Sequence, residues 1–300
     1  MKISKILLVG SSGFIGSELN ATLKKKYEIL KLQNKDKSKI RLKATKKIID
    51  LIKRKEIDTV IHLASNLYAL SNKADYNLEK KEVINPTIKL FEYLAKQNKN
   101  IIFVSSGGTV YGDKKLVSEE DKLKPKNYLG KAKKKIEKKI IQLKNKYDFN
   151  YLILRPSNAY GKKKNINLKQ GLIENALYKA KKNIFLEIRN YGQDKRDYIY
   201  VKDFCEVVKK LFAKEIFNEI INISSLEVYK TKEVIKIINS KIKKKIKIKI
   251  LNKKSRNDVV NSSLSNKKLV NLIDHNFAKL KKSIKLFFWF IFFDKFFRNI

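Results

Sequence analysis

A single cysteine, Cys205, stands among 300 residues. Its isolation excludes a disulfide framework and a cysteine metal cluster, and it fits a reducing compartment. No stretch reaches the ~18 consecutive apolar residues that a membrane-spanning helix needs. The opening MKISKILLVG is basic and briefly apolar but lacks a small-residue cleavage site, so no signal peptide is expected and a cytoplasmic location is. Arginine is scarce: seven of 70 basic residues, the other 63 being lysine. Glycine (10) and proline (3) are also few. With abundant Ile and Asn, this is the joint bias that AT-rich codons produce. A net charge of +41 ordinarily suggests a polyanion partner. Here the lysines run from end to end and form no single stripe, so a solvated surface is the leading reading and no specific nucleic-acid site is expected. What is present, 43% hydrophobic and 33% charged residues, suffices for a packed core.

Short β-branched runs alternate with longer amphipathic stretches over the first half, the pattern of βαβ units on a parallel sheet. Strands are predicted at Ile3–Val9, Glu28–Leu32, Thr59–Leu63, Asn100–Val104 and Tyr151–Leu154. Helices are predicted at Ser17–Lys26, Ala44–Lys55, Asn85–Gln97 and Lys131–Lys146. The interval between the second and third strands is short for a further strand. Beyond Gly161 the pattern becomes irregular.

Gly10-Ser-Ser12-Gly13-Phe14-Ile15-Gly16 follows the first strand and opens the first helix. Glycines there permit a tight turn and close backbone approach to a pyrophosphate, and the helix N-terminus supplies oriented N–H groups. The second strand of such a unit usually ends in an acid that bonds ribose hydroxyls; the slot holds Gln33. Lys31, Lys35 and Lys37 nearby would favour a 2′-phosphate, so NADP stays open, but no arginine sits there and NAD is the expectation. His62 lies inside an apolar strand and is read as a packing residue.

Further strings extend the pattern: Val60-Ile-His62-Leu63-Ala64-Ser65, Asn85-Pro-Thr87, Ser105-Ser106-Gly-Gly-Thr109-Val-Tyr-Gly112, Leu154-Arg155-Pro156-Ser-Asn158-Ala-Tyr160-Gly161 and Arg196-Asp197-Tyr-Ile-Tyr-Val-Lys-Asp203. In this order they resemble the NAD-dependent epimerase/dehydratase family of extended short-chain dehydrogenases/reductases, and in particular nucleotide-sugar 4-epimerases. The resemblance implies an α/β fold: a Rossmann, doubly wound parallel sheet with a small C-terminal substrate lobe. Residues 1–160 would form the dinucleotide-binding domain. Residues 161–300 would form mainly the lobe, interleaved with the last Rossmann elements. It further implies that Leu63, Ala64, Ser65, Ser105 and Pro156 join the glycine turn around the cofactor. Asn158, Arg196 and, before Asp258, Arg256 would hold the nucleotide-sugar diphosphate. An arginine fork suits phosphate oxygens better than a lysine point charge. A structural ion pair of Arg196 with Asp197 or Asp203 is the competing reading. No metal site is expected.

Relatives carry a Tyr-x-x-x-Lys pair on one helix face, the lysine lowering the tyrosine pKa so that it exchanges a proton with the sugar hydroxyl. Aligned on Pro125, Gly130 and Glu137, the lysine is Lys133, but the tyrosine slot holds Leu129 and the only tyrosine, Tyr128, comes one residue early. The Ser/Thr slot falls on Gly107, between Ser106 and Thr109. Either Tyr128, with Thr109 or Ser106, serves through a local shift, or the chemistry is altered. The leading expectation is NAD-dependent epimerisation of a nucleotide sugar, in carbohydrate biosynthesis, through transient oxidation at C4. The alternatives are a keto-sugar reductase and a non-catalytic dinucleotide-binding relative. Dehydration is disfavoured, because dehydratases carry Asp-Glu beside the catalytic hydroxyl, where Gly107 and Gly108 stand. The resemblance also implies a homodimer through Asn85–Gln97 and Lys131–Lys146, with Ile136, Ile140 and Leu143 as a narrow seam. The aromatic tail from Leu286 is too short to span a bilayer and would dock on the protein itself or on an anionic membrane surface.

Overall fold

The computed structural model describes residues 4–32, 42, 45–162, 171–251 and 259–285. Its centre is a six-stranded, wholly parallel sheet in the order β10-β6-β4-β3-β1-β2. These strands are β1 (Lys5–Val9), β2 (Glu28–Lys31), β3 (Thr59–His62), β4 (Asn100–Val104), β6 (Tyr151–Pro156) and β10 (Glu219–Ile223). Among the described residues β2 is the edge strand on its side. The order steps outward from β1 in both directions, which is the doubly wound arrangement anticipated from the sequence.

Alternation along each strand builds two separate cores. In β1, Ile6 and Leu8 point to one face with Leu19 and Leu23 of α1 (Phe14–Leu23). Leu7 and Val9 point to the other, beneath α2 (Thr45–Lys55), α4 (Asn85–Lys96) and α6 (Tyr128–Lys144). Because both faces are covered, the central strands are continuous apolar runs; all four residues of β3 are buried. Ile136, Ile140 and Leu143 of α6, expected as a seam for a second copy, are all buried in this same core.

Helix boundaries depart from the periodicity where capping decides them. α6 begins at Tyr128, not Lys131, because the Asn127 side chain accepts the Gly130 N–H at 2.9 Å and caps the first turn. α1 begins at Phe14, not Ser17, so Gly16 lies inside it. The short helix α3 (Lys73–Glu79) is unanticipated. It starts in a reciprocal capping box between Asn72 and Asp75 and runs through a π-helical turn, Lys80–Ile84, into α4.

A second sheet, in the order β11-β9-β13-β5, lies at the carboxyl ends of the first, with β7 (Asn158–Tyr160) paired to β9 (Lys195–Tyr200). Its other members are β5 (Lys114–Val117), β11 (Glu227–Lys230) and β13 (Asn261–Leu264). Thus β5 comes from before residue 160, while β10, far beyond it, belongs to the central sheet. α5 (Gly107–Val110) leads from β4 towards β5. α8 (Val201–Ala213) follows β9 and packs on α1, and α7 (Leu172–Lys182) and α9 (Thr231–Asn239) contribute to the same core. β8 (Leu186–Arg189) and β12 (Ile248–Leu251) form a separate parallel pair, and α10 (Lys267–Leu272) lies beside β10.

Candidate functional site

Gly10 leaves β1 with φ at +91°, and a Cβ there would stand 2.9 Å from the Ala64 nitrogen. A Cβ on Gly16 would overlap the Gly10 carbonyl oxygen, so the first turn of α1 lies against the strand end with no room between. Gly13 caps α1, its N–H bonding the Gly10 carbonyl at 3.1 Å. A Cβ on Gly13 would find only that carbonyl oxygen within 4 Å, and otherwise open space. No side chain caps the helix and no acid occupies its first turn. Open space before uncapped N–H groups at a positive helix end fits a pyrophosphate. Ser12 is exposed beside it, while Phe14 and Ile15 pack against the core below.

The adjoining strand ends complete the groove floor. Ala64 touches Gly10, and the Leu63 N–H bonds the Val9 carbonyl at 2.9 Å. Ser65 Oγ donates to the Glu79 carboxylate at 2.8 Å, which also accepts the Asn66 N–H at 3.1 Å. Burial raises the Glu79 pKa. At the end of β4, Ser105 is buried and donates to the Glu137 carboxylate. Arg155 grips that carboxylate through Nε and Nη2, the latter at 2.7 Å, and donates through Nη1 to the Tyr111 hydroxyl, also at 2.7 Å. Tyr111 in turn donates its hydroxyl hydrogen bond to Asn222 Oδ1 at 2.7 Å. The Ser105 hydroxyl is therefore committed to a structural network, and Pro156 closes β6 in the buried layer beside it. Gln33 and Arg256 lie outside the described residues, as does the tail from Leu286.

Lys133 is the buried lysine of the site. Its Nζ donates to the Val104 carbonyl at 2.8 Å, at the end of β4. Burial lowers its pKa to about 8, against the raising influence of Glu79 and Glu137. Leu129 stands one helical turn earlier. Tyr128, the first residue of α6, turns elsewhere: its ring is 5.3 Å from that of Tyr76 on α3, with the Lys131 ammonium 4.9 Å away. His62 is a packing group, as expected, bonded to Thr87 at 2.9 Å and lowered to about pKa 3 by burial.

The hydroxyl slot is closed. A Cβ on Gly107 would overlap Leu264 Cδ1 and stand 2.8 Å from the Arg155 carbonyl oxygen. Thr109 is nearly buried, its hydroxyl 3.4 Å from the Ser106 carbonyl oxygen, and Ser106 is half-buried at the start of α5. The structure thus brings Lys133 to the strand ends but leaves Tyr128 turned towards α3. Leu264 and Glu79, which shape this region, were missed from sequence because only long-range packing places them there.

Asn158 and Arg196 lie on the adjacent strands β7 and β9, Asn158 in register with Tyr198. Asn158 Nδ2 donates to the Asp197 carbonyl at 2.9 Å, and its amide lies over Gly108. Arg196 Nη1 donates to the carbonyls of Lys195 (2.9 Å) and Val260 (3.0 Å), and Asp194 lies 3.9 Å from Nη2. Neither Asp197 nor Asp203 pairs with it. Asp197 accepts from Ser224 Oγ (2.6 Å) and the Leu264 N–H (3.2 Å); Asp203 accepts from the Ala278 N–H (2.8 Å). Among the described residues no cluster of His, Cys, Asp or Glu could hold a metal ion, and no helix is long and apolar enough to cross a membrane.

The model of the NAD dependent epimerase/dehydratase family matches residues 6–224. The dTDP-4-dehydro-6-deoxyglucose reductase of Escherichia coli is 33% identical over 202 residues, 67% of this chain but only 64% of the reductase's own length. A putative UDP-glucose 4-epimerase of Methanocaldococcus jannaschii is 30% identical over 253 residues, 79% of this chain and 82% of the relative. The crystal structure of Thermotoga maritima UDP-glucose 4-epimerase with UDP-glucose superposes with a TM-score of 0.86 at 22% identity, covering 96% of this chain and 98% of the other. At that identity the likeness speaks for the fold.

Proposed function

The chain belongs to the NAD dependent epimerase/dehydratase family, and from that premise we propose that it epimerises a nucleotide sugar through transient oxidation at C4. The observation that carries the reading is Lys133: one buried ammonium, bonded to the Val104 carbonyl at the end of β4, two strands along from the β1 end that carries the glycine turn. When bound, NAD supplies the hydride acceptor and donor for C4. Gly10, Ser12, Gly13 and the N-terminus of α1 hold its pyrophosphate, and Lys133 its nicotinamide ribose. Leu63, Ala64 and Ser65 form the adjoining floor. Asn158 and Arg196 bind the substrate diphosphate.

Tyr128 takes the C4 hydroxyl proton on its phenolate oxygen and returns it. To do so it leaves Tyr76 and swings towards Lys133, whose charge favours the phenolate. Thr109 or Ser106 hydrogen-bonds the same sugar oxygen. A second reading, a non-catalytic dinucleotide-binding relative, is favoured by Leu129 on the Lys133 side of α6 and by the closed slot at Gly107. A third, keto-sugar reduction, draws on the similarity to the E. coli reductase and uses the same groups, with NADH or NADPH giving hydride to a 4-keto carbon and no preceding oxidation of the sugar.

One experiment separates the three. The protein is incubated with NAD and UDP-, dTDP- and GDP-sugars, and separately with NADH or NADPH and 4-keto sugars, with products read by NMR. A C4 epimer supports the leading reading. Net reduction supports the third. Calorimetric binding without any product supports the second.

A further inference from the structure

Taking a charge out of water is costly, and a buried charge without a counter-charge changes its protonation instead. The layer over the ends of β3, β4 and β6 brings together Glu79, Lys133, Glu137 and Arg155, all buried. Glu137 and Arg155 offset one another, joined at 2.7 Å with side chains 3% and 4% exposed. Lys133 and Glu79 remain, opposite in sign. Among the described residues neither forms an ion pair in contact.

Glu79 is the last residue of α3, which packs against α6. Its carboxylate lies just beyond the end of β3, where Oε1 accepts the Ser65 hydroxyl at 2.8 Å and the Asn66 N–H at 3.1 Å. Such donors favour the carboxylate over the acid form. Lys133 Nζ lies at the end of the neighbouring strand, on the Val104 carbonyl and 4.9 Å from the Phe103 ring centre. β3 and β4 are paired with His62 opposite Phe103, so the two groups sit over adjoining strand ends.

We propose that Glu79 is a positioning residue: the counter-charge that keeps Lys133 an ammonium, at longer range than an ion pair. The use of that ammonium at a nicotinamide ribose rests on the function proposed above; the pairing itself does not. Burial pulls the Lys133 pKa down to about 8, and Glu79 is the first of the charges that hold it up, ahead of Glu137. The Glu137 charge is itself offset by Arg155. His62, which faces Lys133 from β3, is neutral and contributes no counter-charge. Without Glu79, Lys133 would lose its proton near neutral pH and could no longer favour a phenolate. If Glu79 served only as an acceptor for Ser65 and Asn66, glutamine, with the same shape and a carbonyl oxygen, would replace it without effect on Lys133.

The full chain, labelled at lysine Cε and Nζ, is titrated by NMR. The resonance missing from Lys133→Met should titrate at about pH 8 in the parent. In Glu79→Gln it should titrate at least about one pH unit lower, and in Glu79→Asp close to the parent. Denaturant melts at pH 7 give a second measure should that resonance be unresolved. Glu79→Gln should destabilise the parent, and that cost should vanish or reverse when Lys133 is already methionine. Equal titration in parent and Glu79→Gln, or an equal cost in both backgrounds, overturns the proposal. Calorimetry with NAD reads the consequence: Glu79→Gln should bind about three- to fivefold more weakly than the parent at pH 8 and little differently at pH 6. A loss of equal size at both pH values overturns the proposal, since it would mark a structural role. A parent that binds no NAD at either pH sinks the proposed function instead, while the lysine titration still decides the pairing.

Discussion

Leu129 and Lys133 lie one turn apart on α6, about 40° around its axis, whereas Tyr128 lies about 140° from Lys133. The phenol therefore starts on the wrong side of the helix and rests on Tyr76. As the first helical residue it has no preceding turn to cross, only the Asn127 cap. If it is the working acid/base, Tyr128→Phe should lower turnover by roughly 10²–10⁴-fold, the usual worth of such catalysis. Leu129→Tyr restores a phenol to the Lys133 side and should raise turnover. Steady-state kinetics on the responsive sugar checks both, and full turnover in Tyr128→Phe removes the residue from the mechanism.

Gly13→Asp should abolish NAD binding while the chain stays folded. The new side chain would enter the open space before α1 and set a negative charge where a pyrophosphate must lie. Calorimetry with NAD is the measurement; unchanged affinity would mean the cofactor lies elsewhere.

Arg196→Ala should weaken nucleotide-sugar binding by about 1.5–3 kcal/mol, roughly ten- to 150-fold, and leave NAD affinity unchanged. The guanidinium is anchored by two backbone carbonyls and pairs with neither Asp197 nor Asp203; its one carboxylate neighbour, Asp194, is 3.9 Å away, a long contact that a diphosphate can outcompete. Equal affinity of parent and variant for the sugar would exclude it from the site.

Asp197 carries a pH signature of its own. Burial raises its pKa to about 7, against hydrogen bonds from Ser224 and the Leu264 N–H that lower it. The native chain thus binds a proton that the unfolded chain releases near pH 4. Stability from this group is full below that pH and is lost as pH rises through about 7. Asp197→Asn should therefore stabilise the protein at pH 8 by on the order of 2–4 kcal/mol and gain little at pH 4. Denaturant melts at the two pH values test this; a gain independent of pH would mean that the carboxyl is not the cause.

The central strands were legible because burial on both faces leaves runs such as Ile6–Val9 wholly apolar. The glycine turn was legible because its backbone geometry tolerates so few residues. Helix starts were less so. The amphipathic stripe of α6 begins after the residues that cap it, and α3 depends on the local exchange between Asn72 and Asp75. At the site, the displaced tyrosine could be counted from Pro125 and Gly130. The obstruction at Gly107 could not, because it comes from Leu264 and the Arg155 carbonyl, far along the chain.

The placement of β10 beside β6 imposes an order on synthesis. Strand β6 ends at Pro156, yet its outer neighbour, Glu219–Ile223, is not made until β7, β8, β9, α7 and α8 have been translated. At ~5–20 residues per second, Leu152, Ile153 and Leu154 wait from about three to over ten seconds with one edge unpaired. An apolar edge of that kind is a template for another nascent chain. Chains stalled between these two strands are thus the ones that should call most on chaperones, and the last strand of the sheet is what ends that exposure.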